Sequence, residues 1–156
     1  MGGDAFRIYP VAGHQRRPLV DFMLNGLRGA GCTIIHAPAG DEAPFRLVLE
    51  TPAGERIGVV MYLFRSTTVP TRNRPTDEAR FQVKYGPNTG DMHTIFKDEY
   101  GLYVTIFAGI DLERGIIVST DPEMHNPTRF FISIEYKNGH AEEASRDGWA
   151  LWERVK

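Results

Sequence analysis

The chain has 156 residues and a formal net charge of −2 at pH 7, and 42% of its residues are hydrophobic. This length is typical of a single domain whose core is large enough to fold without disulfides or metals. The near-neutral charge excludes a strong overall attraction to nucleic acid, and no apolar run approaches the roughly 20 residues of a membrane helix. We therefore expect one soluble domain, residues 1–156, with no membrane partner.

Cysteine usage and the N-terminus indicate a reducing compartment. Cys32 is the only cysteine, which excludes an internal disulfide and any metal site built from paired cysteines. Residues 1–4 lack the basic stretch and apolar region with which a secretion signal begins. The expected location is the cytoplasm.

The first predicted element is an amphipathic helix over residues 18–30. Its apolar residues recur with the i, i+3, i+4, i+8 spacing of one helix face. Pro18 suits the first turn of this helix, and Gly29 and Gly31 suit its end.

Segments rich in β-branched and aromatic residues follow the helix and are predicted as strands. They cover residues 33–35, 45–49, 56–64, 81–85, 102–110, 115–119 and 130–136. Residues 51–54 and 111–114 read as hairpin turns, and residues 141–147 as a short polar helix. Because turns rather than crossover helices join the strands, the sheet should be mostly antiparallel. The predicted fold class is α+β: a curved sheet of six to seven strands with an N-terminal helix packed on it and a short C-terminal helix.

Two long connections, residues 65–79 and 120–129, are candidates for function, since long loops in compact domains are seldom idle. The first connection and the strand after it contain basic residues that can neutralise phosphates. Gln82 can read base edges and Tyr85 can stack on a base. The alternative is a solvated loop with an internal ion pair to Asp77 or Glu78.

The second connection places polar side chains between Pro122 and Pro127. His125, Asn126 and Arg129 supply the donors and acceptors that a ligand pocket needs. Taken alone, however, these residues are also typical of a simple turn.

Asp121, Glu135 and Lys137 have the order of a D…(D/E)-x-K nuclease site. In such a site the carboxylates hold Mg²⁺ and the lysine helps to activate water. The parallel α/β core of those nucleases matches this run of hairpins poorly, so a nuclease is an alternative interpretation. Fingerprints of other catalytic families are absent, and the five histidines show no metal-ligand spacing.

Four stretches of the sequence, residues 72–86, 105–111, 121–131 and 148–154, resemble the N-terminal region of certain bacterial HNH endonucleases. These are modification-dependent restriction enzymes, in which a DNA-reading domain precedes a separate HNH nuclease domain. In some members the reader detects 5-methylcytosine. This sequence contains no HNH segment, so the resemblance implies that it is the reader alone, whereas the full-length protein would be an HNH endonuclease.

The function that the resemblance implies is non-catalytic recognition of 5-methylated cytosine in duplex DNA, through the major groove or by base flipping. A dimer on DNA is compatible with this interpretation, and no catalytic residue, metal or cofactor is assigned. The residues assigned to the DNA backbone are Arg72, Arg74, Arg80 and Lys84. The residues assigned to a base pocket are Tyr62, Phe64, Gln82, Tyr85, His125, Asn126 and Arg129. A domain that binds a small molecule or a protein is the third interpretation, and the near-neutral charge suits it equally well.

Overall fold

The computed structural model describes residues 8–67, 78–84, 94–98, 100–125, 128 and 131–151. Within these ranges the elements are, in chain order, β1 (Tyr9–Pro10), α1 (Gly13–Gly29), β2 (Thr33–His36), β3 (Glu42–Ala43), β4 (Phe45–Glu50), β5 (Arg56–Thr67), β6 (Glu78–Lys84), β7 (Tyr103–Asp111), β8 (Ile116–Thr120), a 3₁₀ helix (Pro122–His125), β9 (Phe131–Lys137) and α2 (Asn138–Asp147). In the described part of the chain, no helix is long and apolar enough to cross a membrane.

Seven of the strands form one sheet, and β1 pairs with β3 in a separate ladder. The path of the large sheet runs β2-β4-β5-β6-β9, while β7 pairs with β5 and with β8. Neighbouring strands are antiparallel except β5 and β7, which run parallel from Gly58↔Tyr103 to Arg65↔Ile110. The predicted α+β class and mostly antiparallel sheet are therefore confirmed.

β5 is the central strand because it belongs to two layers. Most of its length lies between β4 and β7, whereas Ser66 and Thr67 at its end pair with β6. β6 then pairs with β9 over its whole length. We term the β6–β9 pair the ribbon.

The two faces of β5 enter different parts of the core. Residues 59, 61 and 63 pack with the buried face of α1, and residues 60, 62 and 64 pack with the ribbon and α2. Side chains of a strand alternate between faces, so a central strand covered on both sides is apolar almost throughout. The sheet therefore folds over on itself: α1 covers one face of the part formed by β4, β5 and β7, and the ribbon covers the other face.

Gly109 of β7 lets the ribbon approach the sheet closely. A Cβ atom at this position would lie 2.3 Å from ring atoms of Phe81 in β6. Phe81 is fully buried, and its ring stacks on Phe64 with a centroid distance of 6.4 Å. Any side chain at position 109 would therefore push the ribbon away from β7.

The predicted helices and hairpins are present, with shifted boundaries. α1 begins at Gly13, so the prediction that Pro18 occupies its first turn is wrong: Pro18 lies inside the helix. The first turn forms earlier because Gln15 and Arg16 donate their backbone N–H groups to the Ala12 carbonyl. A proline at position 18 costs the helix one backbone hydrogen bond, which an exposed position tolerates.

The two predicted hairpins are confirmed. In the first, between β4 and β5, Gly54 has a φ of +85° and donates its N–H to the Thr51 carbonyl at 2.9 Å. In the second, Gly115 donates its N–H to the Asp111 carbonyl at 2.9 Å, which closes the turn between β7 and β8. The C-terminal helix begins at Asn138, three residues before the predicted start.

Candidate functional site

Arginines from three elements lie near the end of β5. Arg16 of α1 donates a hydrogen bond from Nη1 to the Leu63 carbonyl, and its guanidinium carbon lies 5.4 Å from the centroid of the Phe64 ring. Arg65 is exposed in β5, and Arg80 lies in β6 where that strand pairs with the end of β5. We term Arg16, Arg65 and Arg80 the basic corner.

Two arginines of the basic corner differ from other arginines of the chain in their lack of an ion pair with an acidic side chain. Arg17, Arg56 and Arg146 each have a carboxylate oxygen within 4.0 Å. Among the described residues, no carboxylate forms an ion pair with Arg16 or Arg65. Burial lowers the pKa of Arg16, but an arginine remains protonated in proteins. Of the three arginines, Arg65 is the exposed cation that an anion can reach.

Of the four residues predicted for the DNA backbone, Arg80 is the one placed with its side chain. It is half-buried and lies opposite Glu135 in the ribbon, an arrangement that offsets part of its charge. For Lys84 the structure describes the backbone alone, in β6. Arg72 and Arg74 lie outside the described residues, in the segment that joins β5 to β6. Both ends of that segment are at the basic corner.

Two of the seven predicted base-pocket residues are placed with their side chains. Tyr62 and Phe64 are 2% and 3% exposed, and the Tyr62 hydroxyl accepts a hydrogen bond from the Phe96 backbone N–H at 2.9 Å. Neither ring is accessible to a base in this structure, because β5 is covered on both faces. Gln82 and His125 are described through the backbone alone. The other three lie outside the described residues: Tyr85, Asn126 and Arg129.

The residues of the nuclease alternative lie in different elements. The Asp121 carboxylate accepts the Glu123 backbone N–H at 3.0 Å, at the start of the 3₁₀ helix. Glu135 and Lys137 lie in β9, opposite Arg80 and a glutamate of β6. Nowhere in the described ranges do three His, Cys, Asp or Glu side chains come together to hold a metal ion. The described residues thus provide no three-ligand metal site for such chemistry.

A groove of about 750 Å³ runs along β8. Among the described residues, β8 forms a ladder with β7. One wall comes from α1 through Phe22 and Gly26, and the other from α2 through Ala144 and Ser145. Residues 148–151, which follow α2, also line it. We term this cavity the β8 groove.

Arg114 lines the β8 groove and is held in place by a buried acid. Asp111 is 3% exposed, and its Oδ2 accepts a hydrogen bond from Nε of Arg114 at 2.7 Å. Nη1 of Arg114 donates to Oδ1 of Asn138 at 3.1 Å. Nη2 is buried and has no hydrogen-bond partner among the described residues. The guanidinium carbon also lies 5.9 Å from the centroid of the Tyr136 ring, so the side chain is fixed within the wall of the groove.

A hydroxyl pair connects the floor of the groove to the basic corner. Tyr136 lines the groove, and its hydroxyl is hydrogen-bonded to the Ser66 hydroxyl. Ser66 donates in turn to the Arg80 carbonyl at 3.2 Å. Burial raises the pKa of Tyr136, and this effect outweighs the hydrogen bond with Ser66, which lowers it.

The surface of α2 beside the groove is acidic. Glu142, Glu143 and Asp147 are exposed, and the basic residue between them, Arg146, is paired with Asp147 at 3.2 Å. Glu143 and Asp147 line a small cleft that shares Trp149 with the groove. We term Glu142, Glu143 and Asp147 the acidic rim.

Apolar side chains are exposed along the β8 groove. Trp149 is 70% exposed, Leu151 is 84% exposed and Ile117 of β8 is 45% exposed. All three line the groove. A groove with apolar walls is suited to a ligand that carries apolar groups.

The turn at residues 111–114 is predictable from the sequence, whereas the role of Arg114 is not. The Asp111 carboxylate accepts the backbone N–H groups of Glu113 and Arg114 at 3.1 Å and 3.0 Å, so it fixes the turn as well as the guanidinium. An aspartate at the end of an apolar strand, with an arginine three residues later, is the signal that could have revealed this pair. The hydrogen bond from Arg114 to Asn138 depends on tertiary structure, so it leaves no local pattern in the sequence.

Comparison with known proteins gives one family match. A family model described as methylase-associated X1 matches residues 57–156. The matched region begins in β5 and includes Arg65, Arg80 and Arg114. A search of curated proteins and a search of solved structures found no significant match. Because the family match covers well over half of the sequence, the chain belongs to the methylase-associated X1 family.

Proposed function

We propose that this chain is a non-catalytic DNA-binding module that works with a DNA methylase in a modification or restriction system. The family description supports the link to a methylase. The observation that carries the DNA-binding part is the basic corner, where Arg16 and Arg65 have no carboxylate partner among the described residues. Arginines of this kind bind phosphate groups.

The position of the basic corner favours a local DNA contact. The whole chain has a net charge of −2, so its attraction to DNA must come from segregated positive charge rather than from the total. The segment that contains Arg72 and Arg74 starts at the end of β5 and returns at β6, beside Arg65 and Arg80. A two-stranded antiparallel ribbon, such as β6–β9 with Lys84, also has dimensions that the DNA major groove accepts.

Within this function, we propose that the module reads 5-methylcytosine for an HNH restriction endonuclease, as the resemblance implies. The base-pocket residues retained in the proposal are Gln82, Tyr85, His125, Asn126 and Arg129, since Tyr62 and Phe64 are core residues. One methyl group adds little apolar surface, so its recognition contributes on the order of 1 kcal/mol. The preference for methylated DNA should therefore be modest.

The test is binding of the whole chain to a short duplex with and without 5-methylcytosine, at several salt concentrations in EDTA. Arg65→Gln and Arg80→Gln should weaken binding to both duplexes, and each should reduce the salt slope by about one. Arg56→Gln is the matched control, since Arg56 is exposed but lies 3.9 Å from Glu50. Unchanged affinity and slope in both corner variants would overturn the proposal.

A further inference from the structure

We propose that the β8 groove docks a segment of a protein partner that carries apolar side chains next to an arginine. The apolar side chains enter the groove, and the arginine enters the small cleft beside it, which is lined by Glu143, Asp147, Trp149 and Leu151. We term this second cavity the acidic cleft. The inference goes beyond the proposed function and does not depend on DNA binding.

The apolar side chains that stay exposed along the groove are the first observation that carries the inference. Trp149 is 70% exposed, Leu151 is 84% exposed and Ile117 is 45% exposed. Phe22 of α1 and Ile116 of β8 extend the apolar wall. A cluster of large apolar side chains on the surface of a folded domain is typical of a contact with a partner. A partner that covers these side chains removes apolar surface from water, which stabilises the complex.

The acidic cleft is continuous with the groove. Its volume is about 350 Å³, and Trp149 and Leu151 line both cavities. A side chain bound in the cleft is therefore next to a side chain bound in the groove. One short segment of a partner can occupy both.

The charges around the acidic cleft favour a cation. Among the described residues, no basic side chain forms an ion pair with Glu143, whereas Asp147 is paired with Arg146 at 3.2 Å. Glu143 and Asp147 lie near the C-terminal end of α2, where the helix dipole adds partial negative charge. They are four residues apart on the helix, a spacing at which like charges repel each other. A bound cation lowers this repulsion.

The indole ring of Trp149 favours arginine as the cation. A guanidinium can stack on the face of an aromatic ring while it donates hydrogen bonds to a carboxylate. The aliphatic part of the arginine side chain can pack against Leu151. Arginine therefore uses the acidic, aromatic and apolar groups of the cleft at once.

The same charges disfavour nucleic acid and a second copy of the chain. The acidic rim repels the phosphates of a nucleic acid. A symmetric dimer formed through the groove would bring the same surface of two copies together, so their acidic rims would repel each other. A protein segment that carries an arginine meets neither obstacle.

The test uses the whole chain and a display library of short random peptides. Selection should enrich peptides in which an arginine adjoins apolar residues. A synthetic copy of an enriched peptide is then compared with a version in which citrulline, a neutral analogue of similar shape, replaces the arginine. Citrulline should weaken binding roughly fivefold or more, because an ion pair and a cation–π contact are lost. Failure to enrich any peptide, or equal affinity of the two versions, would overturn the inference.

Variants of the cleft make the test specific. Trp149→Ala should weaken binding of the arginine peptide roughly tenfold or more, because this side chain contacts the occupants of both cavities. Glu143→Gln should weaken binding roughly fivefold, whereas Glu142→Gln, the matched control on the same helix, should weaken it less than about twofold. All three side chains are exposed, so the fold should tolerate each change, and thermal denaturation checks this. Full binding by folded Trp149→Ala would contradict the proposed site.

Two other occupants would give different results. Binding of spermidine without any enriched peptide would make the cleft a site for free polyamines. A second copy would appear as concentration-dependent dimerisation that Trp149→Ala abolishes, again without enriched peptides. Either result would overturn the protein segment as the occupant.

Discussion

Arg65 in the basic corner is exposed and has no carboxylate partner among the described residues, whereas Arg114 in the β8 groove is tied to Asp111 at 2.7 Å. An unpaired arginine keeps its full charge and attracts a phosphate from many directions. An arginine held by an acid loses much of its net charge and has a fixed orientation. The first region is therefore suited to long-range attraction, and the second to a ligand of defined shape.

Hydrogen bonds connect the β8 groove to the basic corner. Tyr136 lines the groove, and its bond to Ser66 leads to the carbonyl of Arg80 in the basic corner. Changes that loosen this connection should affect both regions, whereas changes at either surface should affect only one. The following predictions use this difference, from the largest expected effect to the smallest.

Removing the acid that holds Arg114 should have the largest effect on stability. Asp111→Ala should lower the free energy of unfolding by about 3 kcal/mol, because a partly buried guanidinium and two backbone N–H groups lose their acceptor. Urea denaturation measures the change. Asp21→Ala, which removes the exposed partner of Arg17, should cost less than about 0.5 kcal/mol. Equal costs for the two variants would show that Arg114 is not held as described.

Separating the ribbon from the sheet should weaken DNA binding without blocking the groove. Gly109→Ala should lower the free energy of unfolding by about 2 kcal/mol, because the new methyl group overlaps the Phe81 ring. Urea denaturation gives this value, and Gly139→Ala, where the space is open, should not destabilise the fold. The ribbon contains Arg80, so the duplex affinity of Gly109→Ala should also fall, whereas that of Gly139→Ala should not. Unchanged duplex affinity in Gly109→Ala would contradict the assignment of DNA to the ribbon side.

The bond between Tyr136 and Ser66 should make a smaller, pH-dependent contribution. The folded pKa of Tyr136 is raised above 10.0, mainly by burial, so its stabilising effect is present below pH 10 and is lost as the pH rises through the folded pKa. Tyr136→Phe should cost about 1 kcal/mol at neutral pH through the lost hydrogen bond and should weaken the pH dependence above pH 10. Urea denaturation across this range checks both effects. Equal pH dependence in the variant and the parent chain would exclude Tyr136 as the source.

Local sequence patterns were sufficient to predict the fold class because the relevant signals lie within single elements. The hairpin at Gly54 and the one that begins at Asp111 follow from turn residues between apolar runs. The start of α1 was misplaced because Pro18 resembles a first-turn residue, although backbone bonds to Ala12 begin the helix earlier. The parallel pairing of β5 with β7 was not predicted, since no local pattern reports which strands become neighbours.

The candidate sites were harder to predict because they depend on which faces are covered. The apolar run of β5 does not show that Tyr62 and Phe64 are buried beneath the ribbon rather than exposed in a pocket. The fixed Arg114 requires Asn138, 24 residues away, and the pairing of β8 with β7 beyond β5 requires the strand order. Only a three-dimensional arrangement contains this information.

The most direct test of the account is an NMR titration of the isotope-labelled chain with a short duplex that contains 5-methylcytosine. The account predicts amide shift changes at Arg65, Ser66 and Arg80 and unchanged signals at Ile117 and Ala144. Shift changes confined to Ile117 and Ala144 would place DNA in the β8 groove and contradict the division of roles between the two regions.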